Sequence, residues 1–364
     1  MGEKNAGTAV TAGFIVLWYG LNVAFNLLNK SLFNVFPFPW FVSTVHVVVG
    51  ALYCGLAYLV GAKKASFERP ITKEEFNKIL GPATMHALGH VAANLSFAAV
   101  AISLTHTVKT LEPAFNVVLS KLILGSSTPA PVALSLVPIM VRTPAATHAL
   151  FKRPVDPPLP ARLAGQVPGV SIVRGLTRAH AEVTACVRAQ LGVSLASAAE
   201  LSFNWLGFTM AMVSNLTFGF RAVWSKKAMG SIKNLGSTAI YAYTTLISVF
   251  ICAPGVVFFE GARLQGGMQN AIDILGAQTF YMQLLGVGLL YHLYNQFAFN
   301  TLGRVSPVSH GVCNVVKRIV IIASSVAFFG NKMSTQTQLG TVVALVGTYL
   351  YTQMQQKYGH GKKA

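Results

Sequence analysis

Stretches of about twenty predominantly apolar residues, each long enough to cross a bilayer as a helix, dominate the chain. They fall near residues 11–33, 39–61, 79–102, 104–124, 208–229, 238–259, 281–301, 307–329 and 335–356. Hydrocarbon offers no hydrogen-bond partner, so a chain crossing it satisfies its backbone internally, here as helices. A tenth span is hidden. Residues 131–141 (PVALSLVPIMV) and 192–203 (GVSLASAAELSF) are each too short to cross, but joined they make one helix of ordinary length. The expected fold class is an all-α membrane protein with ten transmembrane helices.

Charge supports this and excludes other classes. Only 10% of the residues are charged, against roughly 25% in soluble domains. The net charge of +18 raises the question of nucleic acid. The basic residues, however, sit between apolar spans, as the positive-inside rule expects, or inside them. The four cysteines, Cys54, Cys186, Cys252 and Cys313, are scattered with no CxxC spacing, so neither a disulfide framework nor a zinc site is expected. No nucleophile–base constellation or phosphate-gripping glycine loop points to an enzyme, and no cofactor is expected. The N-terminus, MGEKNAGTAVTAGF, shows neither a transit-peptide composition nor a myristoylation signal.

Between the two half-spans, Arg142 to Leu191 holds seven Lys/Arg against two acids and six of the sixteen prolines, with no sustained periodicity. Such composition opposes regular structure. The segment 141–191 is expected to be foreign to the fold or disordered, dividing the fifth helix. The expected organisation is a short tail at 1–10 and a first repeat at 11–140, holding helices 1–4 and half of helix 5. After the insertion, 192–206 completes helix 5, 207–356 forms a second repeat with helices 6–10, and 357–364 is a basic tail. With ten spans, the side bearing both termini receives fourteen Lys/Arg. The other side receives Lys30, Arg263 and Lys332.

Outside the insertion, four cations remain within spans: Lys109, Arg221, Lys317 and Arg318. A charge at mid-membrane costs about 2.5–3.5 kcal/mol on insertion scales. Two of the lysines sit in similar text. HVAANLSFAAVAISLTHTVK ends at Lys109, and HLYNQFAFNTLGRVSPVSHGVCNVVKR ends at Arg318; each carries a His, an Asn within a turn, a Ser/Thr-His pair and then the lysine. Five spans per half would set the two repeats in opposite orientation, the inverted plan of secondary transporters with a midplane site. Lys317 and Arg318 are adjacent and point about 100° apart on a helix, so both cannot face lipid cheaply. One of them pairing with a carboxylate to tie helices together is the plain structural reading. Acids in spans are few, Glu112 and Glu200 chiefly, and they do not balance four cations. An anionic ligand is therefore expected, and Arg beside Lys suits a dianion such as phosphate. Pro113 is expected to kink the helix next to Lys109, as a gating element. Snorkelling to the interface is the alternative for Arg221, and packing in a polar helix interface is the alternative for His90 and Tyr294.

Five stretches carry a resemblance: GLNVAFNLLNKSLFNVFPFPWFVS, HALGHVAANLSFAAVAISLTHTVKTLEPAFN, ELSFNWLGFTMAMVSNLTFGFRAVWSKKAM, YHLYNQFAFNTL and VKRIVIIASSVAFFGNKMSTQT. Over residues 11–140 and 192–356 the chain resembles the plastid phosphate translocators of the drug/metabolite transporter superfamily. The resemblance implies a ten-helix antiporter that exchanges triose phosphate or 3-phosphoglycerate for inorganic phosphate in the plastid inner envelope membrane. It implies phosphate binding by Lys109 in THTVK and by Lys317 and Arg318 in NVVKR. It implies recognition of the three-carbon end by His90, Tyr294 and Arg221. Ala92 and Ala93 stand where short hydroxyl residues are often found in the family, which puts one phosphate contact in doubt.

The partners expected are phosphorylated small molecules, inorganic phosphate and the lipid bilayer, with no nucleic acid and no obligatory protein partner. Other cargo stays open: phosphoenolpyruvate, pentose or hexose phosphates, or nucleotide sugars. So does an anion-binding receptor that does not transport. A chain lacking residues 142–191 is expected to exchange labelled phosphate in liposomes at least as fast as the full chain; loss of exchange on deletion would show that the segment belongs to the working fold.

Overall fold

The computed structural model describes residues 2–100, 102–109, 112–125 and 204–329, with positions 346, 350 and 354. Every regular element among them is helical. The helices are α1 (Gly2–Val35), α2 (Pro39–Leu59), α3 (Lys73–Ala99), α4 (Ile102–Lys109), α5 (Glu112–Leu124), α6 (Trp205–Ser231), α7 (Ser237–Phe259), α8 (Gly261–Leu275), α9 (Ala277–Arg304) and α10 (Pro307–Phe329), with a 3₁₀ turn at Lys63–Ala65. These helices gather into one compact unit, Met1–Ser126 with Ser202–Lys332. The apolar stretch 335–356 lies largely outside the described residues. The first half of the expected fifth helix, the segment 141–191 and the basic tail lie wholly outside them. Of the expected second half, 192–206, only 204–206 are described, where Asn204 caps α6 and Trp205 and Leu206 begin it.

Two elements depart from the sequence expectation. The stretch 104–124 holds two described helices, α4 ending at Lys109 and α5 beginning at Glu112. Proline lacks an N–H and is tolerated in the first turn of a helix, where Pro113 stands as the second residue of α5. The second departure is α8, which meets α9 at 110°. Gly276 makes that corner at φ 79°, in the left-handed region open to glycine. Leu264, Met268, Ile272 and Leu275 of α8 pack against the main core, at the spacing of one helical face.

Among the described residues, three helices are by themselves long and apolar enough to cross a membrane: Gly7–Val35, Pro39–Leu59 and Ser237–Phe259. The other long helices carry buried polar side chains, among them His86, His90 and Asn94 of α3, Arg221 of α6, His292 and Asn295 of α9, and Asn314 and Arg318 of α10. Partnered polar groups of this kind are tolerated because they face other helices.

The helices pack as α1 on α9, α3 on α6, α2 on α7, α2 on α9, α3 on α7, α5 on α10, α1 on α10 and α5 on α6. Small residues permit the close crossings. A Cβ at Gly288 of α9 would lie 2.7 Å from the Cβ of Val49 in α2, which no rotamer change relieves.

Helix ends are tied across the fold. The carboxylate of Glu260, just after α7, accepts from the N–H groups of Trp40 and Phe41 at 2.9 and 2.8 Å. Those donors belong to the first turn of α2, where backbone N–H groups lack helical partners. Glu68, after α2, accepts from the N–H of Gly236 at 2.9 Å, at the start of α7. Lys30 of α1 donates to the carbonyl of Phe97 at 3.3 Å, near the end of α3. Lys226 of α6 donates to Leu302 and Gly303 at 2.8 and 2.9 Å, near the end of α9. Outside the spans, Thr72 and Glu75 form a capping box at the start of α3. The Arg69 guanidinium, at 2.7 and 2.9 Å, together with the Thr72 N–H, holds the Glu75 carboxyl down to about 2.

Candidate functional site

The break between α4 and α5 sets opposite charges at favourable helix ends. Lys109 is the last residue of α4 and Glu112 the first of α5. A cation at a C-terminus and an acid at an N-terminus are each stabilised by the helix dipole. Side chains of α6 hold the end of α4. Lys109 Nζ donates to Ser214 Oγ at 2.6 Å, and Asn215 Nδ2 donates to the Val108 carbonyl at 2.8 Å. Lys109 Nζ also lies 4.6 Å from the centroid of the Phe218 ring, within cation–π range.

Glu112 answers for one cation. Its Oε2 accepts from Arg318 Nη2 at 2.6 Å and its Oε1 from Asn314 Nδ2 at 2.8 Å, clamping α5 to α10. Both ion-pair partners are buried, and Arg318 Nη1 has no protein partner among the described residues. Lys317, one residue earlier, points elsewhere. Its Nζ donates to Asn314 Oδ1 at 2.9 Å and sits 4.9 Å from the Trp18 ring and 5.9 Å from the Tyr294 ring. Glu200, the other acid expected in a span, lies outside the described residues.

Arg221 is buried, not snorkelling. Its Nη1 donates to His86 Nδ1 at 3.1 Å and to Asn295 Oδ1 at 3.4 Å. The rings of Phe218 and Phe299 lie 4.8 and 5.3 Å from its Cζ. His90 Nε2 meets His46 Nδ1 at 3.1 Å, and its ring lies 4.0 Å from that of Tyr291. Tyr294 packs on Phe25 and Tyr291.

The six residues expected at the site are thus brought into one cluster, with Lys109, Arg221, Arg318 and His90 buried and Lys317 and Tyr294 half-buried. Phe218 packs on both Lys109 and Arg221, at 4.6 and 4.8 Å. Tyr291 joins His90 at 4.0 Å and Tyr294 at 5.5 Å, and Lys317 Nζ sits 5.9 Å from the Tyr294 ring. A surface groove of about 440 Å³, lined by Phe14, Met229, Leu235, Ser237, Thr238, Asn300, Gly303 and Arg304, shares no residue with the cluster.

Sequence reasoning alone did not single out His46, His86, Ser214, Phe218, Tyr291, Trp18 or Asn314. For His86 a signal existed: it stands four residues before His90, so both lie on one face of α3. The textual echo between the halves does not carry over to every residue. His90 enters the cluster, whereas His292 packs on Tyr53, Tyr241 and Cys54.

A membrane-type bundle that gathers four cations, three of them buried, with one carboxylate paired to one of them has the makings of an anion carrier. The chain matches the profile of the Triose-phosphate Transporter family over residues 9–150 and 175–352, and it belongs to that family. Among curated relatives, a triose phosphate/phosphate translocator of Solanum tuberosum is 41% identical over 364 residues, 100% of this chain and 74% of that one. One of Pisum sativum is 42% identical, over 94% of this chain and 72% of the relative. A glucose-6-phosphate/phosphate translocator of Arabidopsis thaliana is 34% identical, over 93% and 74%. One solved crystal structure, at 12% identity, superposes with a TM-score of 0.54 and covers 97% of this chain and 98% of its own. That likeness concerns the fold alone.

Removing the charge of either partner in the Glu112–Arg318 pair leaves the other buried and unpaired, a loss of about 3–5 kcal/mol. Glu112→Gln and Arg318→Gln are each expected to lower the unfolding midpoint of the purified protein, and the double variant by less than the sum. Additive midpoint shifts in this double-mutant cycle would exclude the coupling.

Proposed function

We propose that this chain is a secondary antiporter exchanging triose phosphate or 3-phosphoglycerate for inorganic phosphate across the plastid inner envelope membrane. The observation that carries this reading is the charge imbalance: among the described residues, Lys109, Arg221, Lys317 and Arg318 lie in one cluster, and the Glu112 carboxylate pairs with Arg318 alone. Such an excess in low dielectric is expensive unless an anion joins it. Lys109, Lys317 and the unpartnered Nη1 of Arg318 take the phosphate group; His90, Tyr294 and Arg221 take the three-carbon end. The higher identity to relatives named for triose phosphate than to the one named for glucose 6-phosphate supports a three-carbon cargo. The chloroplastic naming of those relatives supports the location.

The scaffold of this reading is ten helices in two inverted five-helix repeats. Helix packing supports it. Exchanging α1 with α6, α2 with α7, α3 with α9, and α4–α5 with α10 turns the packing list into itself. The end ties obey the same exchange. Glu68 and Glu260 each cap the other helix of the α2/α7 pair. Lys30 and Lys226 each hold the carbonyl end of α3 or α9. Repeats related in this way give alternating access by rocking around a fixed central site.

Coupling follows from electrostatics. With no anion, Lys109, Lys317, Arg221 and Arg318 repel one another, and occluding them is costly. A bound dianion offsets that repulsion, so loaded carriers switch and empty ones stall. Lys317→Ala is expected to abolish exchange of labelled phosphate in liposomes; near-normal exchange would remove Lys317 from the site. Vesicles preloaded with phosphate are expected to take up label far faster than vesicles without internal substrate. Comparable net uptake into substrate-free vesicles would refute obligatory exchange.

A further inference from the structure

Arg221 is held on three of its sides. Phe218 and Phe299 pack against the guanidinium at 4.8 and 5.3 Å. Nη1 is occupied by His86 Nδ1 and Asn295 Oδ1. Among the described residues neither Nε nor Nη2 has a hydrogen-bond acceptor, and Nε is buried. In a guanidinium these two groups form the side-on fork, two parallel N–H donors that match a carboxylate or phosphate edge. The protein therefore occupies the edge of Arg221 that a bidentate anion does not need.

What holds that edge is a relay through His86. A guanidinium only donates, so Nδ1 of His86 must accept and carry no proton. The ring proton of the neutral imidazole then sits on Nε2, which lies 3.1 Å from the Tyr291 hydroxyl, and Tyr291 accepts it. Tyr291 is itself wedged among rings, stacked on His46 at 5.1 Å and 4.0 Å from His90. A second arm comes from the same helix: Asn295, whose Oδ1 meets Arg221, donates through Nδ2 to the Tyr291 carbonyl at 3.0 Å. All four residues are buried. The chain Tyr291–His86–Arg221 runs across α9, α3 and α6, helices from both halves of the molecule.

We propose that His86 and Tyr291 are positioning residues that preset the Arg221 fork for the carboxylate of a phosphorylated three-carbon acid. They set discrimination between that cargo and inorganic phosphate, and they touch neither. This inference rests on the assignment of Arg221 to the three-carbon end. Its physical content is preorganisation: a donor pair fixed before binding loses less freedom when the anion arrives. An asparagine at position 86 would keep an acceptor oxygen near the place of Nδ1, whereas leucine would not.

The test is the ratio of half-saturation constants for 3-phosphoglycerate and inorganic phosphate, measured by counterflow in liposomes. His86→Leu is expected to raise that ratio about tenfold, and His86→Asn to keep it near the parent value. A purely structural role would lower the maximal rates for both substrates and leave the ratio unmoved, which overturns the proposal. Should His86→Leu give no exchange, Tyr291→Phe supplies the same reading: a raised ratio supports the relay and an unmoved one overturns it. Arg221→Gln separates the two levels. A raised ratio there with an unmoved ratio in the His86 variants rejects the positioning role alone. An unmoved ratio in Arg221→Gln rejects the assignment of Arg221 and the relay with it.

Discussion

The 2.6 Å pair between Glu112 and Arg318 is the interaction on which the arrangement of the buried cluster depends. It seats α5 against α10 and neutralises one of four cations in a region with little water to screen them. The break ahead of Glu112 makes that possible. It puts the carboxylate at a helix N-terminus and Lys109 at a helix C-terminus, so backbone dipoles stabilise both charges. A continuous helix through residues 102–124 would place the same side chains amid satisfied backbone, without that help. Proline at position 113 serves this architecture by starting a helix.

Away from the cluster, polar ties concentrate at helix ends. Glu68, Glu260, Lys30 and Lys226 each satisfy backbone groups that a helix terminus leaves without partners. Between the ends, helices meet through small residues such as Gly288 and through aromatic rings. A carrier of the proposed rocking kind benefits from this division. Ties at the ends can be exchanged one face at a time, while close crossings between small residues keep helices registered as they slide.

Much was legible in the sequence because hydrocarbon leaves few options. Long apolar stretches become helices, and eight of the nine stretches read from hydropathy coincide with described helices. Lys109, Lys317, Arg318 and Arg221 stood out because unpaired charge in apolar text needs an explanation. Other features were not legible, for physical reasons. The helix α8 is short and half polar, so no apolar window marks it. The relay from Tyr291 through His86 to Arg221 joins residues 70 to 205 positions apart through neutral side chains. Neutral His and Tyr in a membrane helix resemble ordinary packing until a partner is seen. The echo between His90 and His292 misled in one respect: similar text put one ring in the charge cluster and the other among Tyr53 and Tyr241.

By itself, the sequence determined that this chain is a helical membrane protein with more buried positive charge than its own carboxylates can balance. Local composition decides partition into lipid, and charge is countable without coordinates. Which cation Glu112 neutralises, where the fourth span breaks, and which edge of Arg221 stays open were decided by tertiary structure alone. Each of those depends on the direction of a donor or acceptor across a helix interface. Hydrogen bonds fall away within an ångström and a few tens of degrees, a precision that spacing along a chain does not carry.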